Sequence, residues 1–188
     1  QLAALTDLIA DADVFVNAYR GLRRHGLDAE HLAQRRPGIL VVEYHCWGSD
    51  GPWGDRGGFD QLACSATGFS LEEGRGGPTT LPPTHLLNDY LAAYLGATGI
   101  VAALRRRQSE GGSWRVRINL ARVCIWVQSL GPSGAAPATD WGTRSIDLTT
   151  VDGPFGHIDE PVIPIIFDGN PTPHPLPARP LGTSPLTW

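Results

Sequence analysis

The sequence predicts an α/β fold, an open and largely parallel β-sheet with flanking helices, followed by an extended, proline-rich C-terminal tail. Segments with the periodicity of strands alternate with segments of helical periodicity through residue 130, an order that is typical of parallel sheets. The strongest strand, at residues 39–46, is largely apolar and rich in β-branched residues. Such a strand is expected where helices cover both faces of a sheet.

The elements follow from local patterns, taken in order. Leucine and isoleucine recur at helical spacing over residues 2–9, and Pro37-Gly38 stops a second helix. Residues 114–120 alternate as a strand does. We therefore expect helices over residues 2–9, 28–36, 59–68, about 89–107 and 121–130, and strands over residues 14–16, 39–46 and 114–120.

The composition of the chain changes after residue 130. Residues 131–142 are predicted to be a linker, and proline and glycine are frequent beyond it. A strand-like run occupies residues 161–167. The sequence therefore predicts that residues 1–130 belong to a large domain, and that residues 143–188 form an extended segment that packs on it.

Composition excludes several classes of function. The net charge is −4 at pH 7 with 18% charged residues, which gives no basis for nucleic-acid binding. The chain has no lysine, so Schiff-base chemistry and a Walker A phosphate loop are excluded. The longest apolar run, at residues 90–104, is only about fifteen residues long, which is typical of a buried helix, and no membrane span is predicted.

The cysteines indicate a compartment. Three of them, Cys46, Cys64 and Cys124, are widely spaced, and an odd number of cysteines favours a reducing environment, so we expect a cytoplasmic protein. No spacing typical of metal ligands is present, and no metal site is predicted. The chain lacks methionine and opens within a helical pattern, so we expect it to be part of a longer protein.

Asp89 is the candidate nucleophile. It lies at the start of a helix that is otherwise small and apolar, where free N–H groups and the helix dipole favour an anion. A carboxylate held ionised there, with reduced hydration, can attack an electrophile. The alternative is that Asp89 is a helix cap, because Asp and Asn are favoured at that position. Spacing alone leaves both interpretations open.

A glycine-rich loop at residues 47–58 follows the strand at 39–46. Open α/β sheets place their ligands at the carboxyl ends of strands, so this loop is a candidate border of a binding site. It can equally be a long surface loop. The chain contains no G-x-G-x-x-G motif, and a dinucleotide site is therefore not predicted.

Several short motifs follow one another along the chain, and their order and spacing are informative together. They are Ala-Asp-Val-Phe-Val-Asn-Ala-Tyr-Arg-Gly at 12–21, Arg-His-Gly-Leu at 24–27, Gly-Ser-Asp-Gly-Pro-Trp at 48–53, Arg-Gly-Gly-Phe-Asp at 56–60, Asn-Asp-Tyr at 88–90 with Gly-Ile-Val-Ala-Ala-Leu at 99–104, Gly-Gly-Ser-Trp-Arg-Val at 111–116 and Pro-Leu-Gly-Thr at 180–183. Together they resemble the family III CoA-transferases, a group that includes formyl-CoA and carnitine CoA-transferases and 2-methylacyl-CoA racemases.

The resemblance implies a Rossmann-like sheet and a covalent mechanism on coenzyme A thioesters. An aspartate, here Asp89, would attack an acyl-CoA to form a mixed anhydride. CoA thiolate would convert this to an aspartyl-CoA thioester, and an acceptor carboxylic acid would complete the exchange. By the same resemblance Tyr19, Arg20 and Arg24 would lie near CoA, whereas Phe59 and Asp60 would border the acyl site.

Each of these residues also has a plainer interpretation. The arginines can be ordinary surface charge, Phe59 a core aromatic and Asp60 a helix cap. Phe59 stands where the racemases carry a histidine, and because phenylalanine cannot exchange protons, racemisation is disfavoured.

The resemblance also bears on assembly. Relative to the family pattern, an N-terminal segment and a small domain are missing, so it implies a homodimer or a partner chain that supplies missing segments. The remaining alternative is a non-catalytic module of the same family that acts by assembly.

Overall fold

The computed structural model describes residues 2–54, 56–82, 86–131, 147–163, 165–171 and 177–185. The chain divides into two compact units, Gln1–Ser133 and Gly134–Trp188. The boundary between the units falls within the predicted linker. Most of that linker, residues 132–142, lies outside the described residues, as do residues 172–176 and 186–188 of the proline-rich tail.

The first unit is built on a three-stranded parallel sheet. Its strands are β1 (Val14–Asn17), β2 (Leu40–His45) and β3 (Trp114–Asn119), in the order β1-β2-β3. Leu40 pairs with both Val14 and Trp114, and His45 pairs with Asn119. The carboxyl ends of the strands therefore meet at one edge, and the predicted parallel α/β architecture is confirmed.

Helices flank this sheet. In the described part of the first unit they are α1 (Leu2–Asp11), α2 (Ala29–Arg35), α3 (Asp60–Ala66), α4 (Phe69–Glu73), α5 (Leu87–Glu110) and α6 (Leu120–Ser129), with a 3₁₀ helix at Leu22–His25. The sequence had predicted a loop where α4 lies and no element at the 3₁₀ helix. Both are too short for a 3.6-residue period to show in the sequence.

Two apolar clusters form the core of the first unit. One joins α1, α2 and the sheet through the buried residues Ile9, Leu27, Ala29, Leu32, Ile39 and Val41. The other joins the end of β2 to α3, α4 and α6 through Cys46, Ala63, Cys64, Phe69 and Cys124. All three cysteines are buried and carry free thiols.

Helix α5 lies close against β2 and β3. A Cβ atom on Gly96 would overlap the Tyr44 hydroxyl, and a Cβ on Gly99 would come within 2.7 Å of Val116 Cγ1. The two glycines therefore let the helix backbone approach the sheet. The buried residues of the helix, Asn88, Ala92, Gly96 and Ala103, follow the same side.

Helix α5 differs from the sequence prediction in length and exposure. It has 24 residues, and with a hydropathy of 1.2 it is long and apolar enough to cross a membrane, by length and composition only. The predicted buried helix is buried along one stripe, whereas Tyr90, Tyr94 and Val101 are exposed. Packing on the sheet through small residues accounts for the apolar composition of that stripe.

The second unit contains antiparallel strands. β4 (Leu148–Gly153) pairs with β5 (Gly156–Pro161), and β6 (Ile166–Phe167) pairs with β7 (Asn170–Pro171). The prediction of one strand over residues 161–167 was wrong, because that run spans the end of β5 and all of β6. Residues 177–185 are irregular, and Pro177 packs on the hairpin so closely that a Cβ on Gly153 would lie 2.8 Å from its Cβ.

Candidate active site

A pocket of about 660 Å³ lies at the carboxyl edge of the parallel sheet. Open α/β sheets favour ligand sites in this place, because the connections after the strands diverge there. Its walls come from the segments after β1 and β2, the start of α5 and the start of α6. The lining residues are Ala18, Tyr19, Arg20, Tyr44, His45, Cys46, Arg56, Gly57, Gly58, Phe59, Asp89, Ala92, Ala93 and Leu120.

Asp89 lines this pocket from the first turn of α5. It is the third residue of the helix, and its side chain is exposed. The N-cap position belongs to Leu86, which makes no side-chain capping bond. Asp89 therefore does not occupy the capping position that the alternative interpretation gave it, and its carboxylate borders the pocket.

The carboxylate that caps α5 belongs to Asp60, the first residue of α3. Asp60 Oδ2 accepts a hydrogen bond of 2.8 Å from the backbone N–H of Asn88 and one of 3.0 Å from that of Asp89. These are two of the N–H groups that the first turn of a helix leaves without a partner inside the helix. A side chain 29 residues away in sequence thus does what an N-cap residue does locally.

The other oxygen of Asp60 is held as firmly. Oδ1 accepts hydrogen bonds of 3.1 Å from Asn88 Nδ2 and of 3.1 Å from Cys64 Sγ. Asp60 and Asn88 are both fully buried, with an exposed fraction of 0%. The network therefore fixes the start of α5 to α3 beside the pocket.

These contacts change the electrostatics expected for Asp89. Asp89 is exposed at the mouth of the pocket, but the surrounding protein removes part of its hydration. This partial burial, and then the negative charge of Asp60, raise the pKa of the Asp89 carboxyl above its ordinary value. From its place at a helix start, the carboxylate of Asp89 had been expected to favour the ionised form. The pKa of Asp89 is shifted in the opposite direction, by partial burial and by the charge of Asp60, and the N–H groups of Asn88 and Asp89 bond to Asp60 rather than to Asp89.

The pocket brings together four of the six residues predicted from the sequence. Asp89, Tyr19, Arg20 and Phe59 all line it. Tyr19 and Phe59 are 80% and 73% exposed, so they stand at the pocket rather than in the core that the alternative interpretation of Phe59 required. The Arg20 side chain lies close along the loop at Gly57. A Cβ atom added at Gly57 would lie 3.5 Å from Arg20 Cζ.

The other two predicted residues are outside the pocket lining. Arg24 is exposed on the 3₁₀ helix, where its Nε donates a 3.0 Å hydrogen bond to His25 Nε2. Asp60 lies in the interior, and it is a helix cap, as the alternative interpretation had it. It caps a helix other than its own.

The end of β2 also contributes to this site, which was not predicted from the sequence. Tyr44, His45 and Cys46 line the pocket, and behind them Glu43 is buried. Glu43 Oε2 accepts a 2.7 Å hydrogen bond from Arg115 Nε, and lies 3.7 Å from Arg117 Nε and 3.8 Å from His45 Nε2. The available signal was the polar pair Glu43 and His45, two residues apart in an otherwise apolar strand.

The charge of Glu43 is stabilised by its neighbours. Burial alone raises its pKa, but the His45 ring and the Arg115 guanidinium outweigh burial, and the pKa of Glu43 falls below its ordinary value. Glu43 therefore remains ionised behind the pocket wall.

Cys46 is the one thiol in the pocket lining. Burial, with smaller contributions from Cys124, Asp89 and Asp60, raises the pKa of Cys46 to about 11. The thiolate is the reactive form of cysteine, so this side chain is protonated at neutral pH and does not compete with Asp89 as a nucleophile. Among the described residues, no group of three or more His, Cys, Asp or Glu could hold a metal ion.

Comparison with known proteins identifies the family. The family description that matches residues 1–143 is CoA-transferase family III. The chain belongs to this family. The resemblance seen in the sequence motifs is thereby confirmed over the unit that carries the pocket.

Individual relatives agree with this assignment. The chain is 35% identical over 136 residues to the acetyl-coenzyme A transferase nodX of Hypoxylon pulicicidum, which covers 68% of this chain and 23% of that protein. It is 33% identical over 113 residues to the succinyl-CoA–L-malate CoA-transferase alpha subunit of Chloroflexus aurantiacus, covering 58% of this chain and 26% of that subunit. The matched region thus spans about a quarter of these relatives.

The fold is also found in solved structures. The crystal structure of Rv3272 from Mycobacterium tuberculosis superimposes with a TM-score of 0.62 at 24% sequence identity, over 69% of this chain and 37% of that one. A CAIB/BAIF family protein from Brucella suis gives a TM-score of 0.56 at 20% identity, over 83% and 44%. These likenesses support the α/β fold of the family.

Proposed function

We propose that this chain is part of a CoA-transferase that moves coenzyme A from an acyl-CoA donor to a carboxylic acid acceptor, with Asp89 as the covalent nucleophile. The observation that carries the proposal is the position of Asp89. In a chain of CoA-transferase family III, it borders the pocket at the carboxyl ends of the parallel strands.

The first half-reaction begins at the thioester carbonyl. A carboxylate oxygen of Asp89 attacks this carbon, the C–S bond breaks and CoA leaves as a thiolate, which gives a mixed anhydride. The thiolate then attacks the Asp89 carbonyl of the anhydride. An aspartyl-CoA thioester forms, and the donor acid leaves as a carboxylate.

The second half-reaction reverses these steps with the acceptor. The acceptor carboxylate attacks the aspartyl-CoA carbonyl and expels CoA thiolate, which gives a new anhydride. The thiolate attacks the acceptor side of that anhydride, so the new acyl-CoA forms and the Asp89 carboxylate is restored. No oxidant, reductant or metal is needed for this balance.

The walls of the pocket suit this chemistry. Ala92, Ala93, Leu120 and Phe59 provide an apolar surface near Asp89, and such a surface limits the water that would hydrolyse an anhydride. Arg20 and Arg56 provide guanidinium groups in the same lining, which suit phosphate and carboxylate groups. In this proposal Tyr19 and Arg20 contact CoA, Phe59 borders the acyl group, and Arg24 meets CoA phosphates beyond the pocket.

Assembly and location belong to the same proposal. The alpha and beta subunits of the Chloroflexus aurantiacus succinyl-CoA–L-malate CoA-transferase are both similar to this chain, at 33% and 32% identity. This supports a homodimer or a partner chain that completes the site here. The three buried free thiols support a cytoplasmic location.

The test is covalent capture by mass spectrometry. The protein, in its longest natural form, is incubated with a panel of acyl-CoAs and hydroxylamine, which converts an aspartyl thioester or anhydride to a stable hydroxamate. We expect a hydroxamate on Asp89 with one donor class and none in Asp89→Asn. The control Asp7→Asn, an exposed position on α1, should leave capture unchanged. Absence of any adduct with every donor would favour the non-catalytic module.

A further inference from the structure

Helix α5 begins without a capping side chain of its own. Leu86 at its N-cap offers no side-chain oxygen, and Asn88 and Asp89 follow in the first turn. The oxygen that is missing locally is supplied by Asp60 from α3, through hydrogen bonds of 2.8 and 3.0 Å. The two bonds fix the backbone at the residue that bears the proposed nucleophile.

Asp60 cannot itself meet a substrate in this arrangement. Its side chain is fully buried, and it is absent from the residues that line the pocket. Both of its oxygens bond to Asn88, and Cys64 and Asp89 complete its contacts. Any effect of Asp60 on the reaction must therefore pass through the start of α5.

We propose that Asp60 is a positioning residue for Asp89, which fixes the first turn of α5 and acts on the Asp89 carboxylate through its own buried charge. This inference rests on the proposed function, because it gives Asp60 a part in the reaction assigned to Asp89. It replaces the contact with the acyl group that the family resemblance implied for Asp60.

The charge of Asp60 has a chemical consequence at Asp89. A like charge nearby disfavours ionisation of Asp89, and it makes the ionised carboxylate a stronger base and a better nucleophile. Other ionisable groups border the same pocket and contribute to the local field. They are Tyr19 and Arg20 after β1, Tyr44 and His45 at the end of β2, Cys46 directly after β2, and Arg56 in the loop before α3.

The test is a pH titration of the Asp89 carboxyl carbon by NMR in wild-type protein and in Asp60→Asn. The amide of Asn keeps the size of Asp60 and one acceptor oxygen but removes the charge. We expect the Asp89 midpoint to move to lower pH in Asp60→Asn. The resonance is assigned by its disappearance in Asp89→Asn, and hydroxamate capture at saturating pH should slow by about tenfold or more, since small misplacements of reacting groups cost this much.

Asp28→Asn is the matched control. Asp28 caps α2, where its side chain accepts a hydrogen bond from the His31 backbone N–H. Its loss should lower thermal stability, as the loss of any helix cap does, but leave the Asp89 titration and hydroxamate capture unchanged. An equal shift of the Asp89 midpoint in both variants would reduce Asp60 to a structural cap and overturn the proposal.

A second measurement covers the case in which Asp60→Asn does not fold. In the wild-type protein, the amide protons of Asn88 and Asp89 should be protected from solvent exchange, and the pKa of Asp89 should lie above the ordinary value of aspartate. Rapid exchange at both amides, or an ordinary Asp89 titration, would overturn the proposal without any variant. If these NMR results hold but no hydroxamate forms with any donor, the proposed function fails while the link from Asp60 to Asp89 stands.

Discussion

At the scale of single residues, the surroundings of Asp89 set its behaviour more than its place on a helix does. The helix N–H groups that would have favoured its charge are bonded to Asp60, and burial and the charge of Asp60 raise its pKa. The ionised form of Asp89 therefore lowers the free energy of unfolding of the protein. This is a common arrangement for a group that must react.

A stability prediction follows for Asp89→Asn. A carboxyl whose pKa is higher in the folded than in the unfolded protein destabilises the fold wherever it is ionised, and the effect vanishes below its unfolded pKa. We expect Asp89→Asn to raise the melting temperature at pH 7 and to change it little near pH 3, roughly one unit below the ordinary pKa of aspartate. Calorimetry at the two pH values measures this, and a lower melting temperature at pH 7 would contradict it.

The same residue predicts a pH dependence of reaction. Asp89 must be ionised to attack, so hydroxamate capture should fall as the pH drops through the raised pKa of Asp89. The acid limb should therefore lie above the pH at which an ordinary aspartate protonates. The rate of capture with one donor, followed from neutral to acidic pH, would reveal it, and an acid limb at an ordinary carboxyl value would count against the raised pKa.

The pKa of Glu43 is shifted in the opposite direction to that of Asp89, so its ionised form stabilises the fold. Its lowered pKa in the folded state contributes stability that is present above its unfolded pKa and is lost as the pH falls through the folded pKa. Glu43→Gln should therefore destabilise the protein at pH 7 by about 1–2 kcal/mol, since its partners Arg115 and Arg117 are partly exposed and screened. Urea unfolding should show this difference shrink at acidic pH. Glu110→Gln, which loses only a surface pair with Arg106, should change little at either pH.

At the scale of elements, sequence periodicity predicted most of what was found in the first unit. Its pattern lasts long enough in α1, α2, α5 and β2 to be seen locally, and each predicted element is present. Periodicity did not predict short elements such as α4. It also did not predict strands that are defined by their pairing, such as the hairpin of β4 and β5. Hairpin pairing depends on contacts between residues such as Thr150 and Asp159, which bond at 2.7 Å.

The contact of α5 with the sheet predicts the effect of Gly96→Ala. The new Cβ would overlap the Tyr44 hydroxyl, so we expect a loss of about 1–3 kcal/mol of unfolding free energy despite the better helix propensity of alanine. Tyr44→Phe in the same chain should recover part of that loss, because it removes the overlapping oxygen. Urea unfolding of the single and double variants measures the coupling, and a more stable Gly96→Ala protein would show that α5 can shift freely.

At the scale of the whole molecule, the first unit carries the family match, the pocket and all three cysteines. Burial raises the pKa values of Cys46, Cys64 and Cys124 together, so none of them should react while this unit is folded. The thiols should therefore report on the unfolding of this unit.

We predict that a thiol reagent labels all three cysteines at one rate, equal to the rate at which the first unit unfolds. Mass spectrometry of the labelled peptides over time, compared with unfolding followed by fluorescence, tests this. Rapid modification of Cys46 alone in folded protein would show instead that the pocket opens to solvent without unfolding.

The sequence by itself determined the family, the alternation of the three strands with the longer helices along the first unit, and the place of Asp89 at the start of an apolar helix. These features depend on local periodicity and on short motifs, which are visible in the sequence without knowledge of the fold. Only the tertiary structure decided that Asp60 caps α5, that Arg24 lies outside the pocket lining, and that His45 lines the pocket while Glu43 is buried next to it in β2. Those facts depend on contacts such as that between Asp60 and Asn88, which are 28 residues apart and meet only when α3 and α5 pack together.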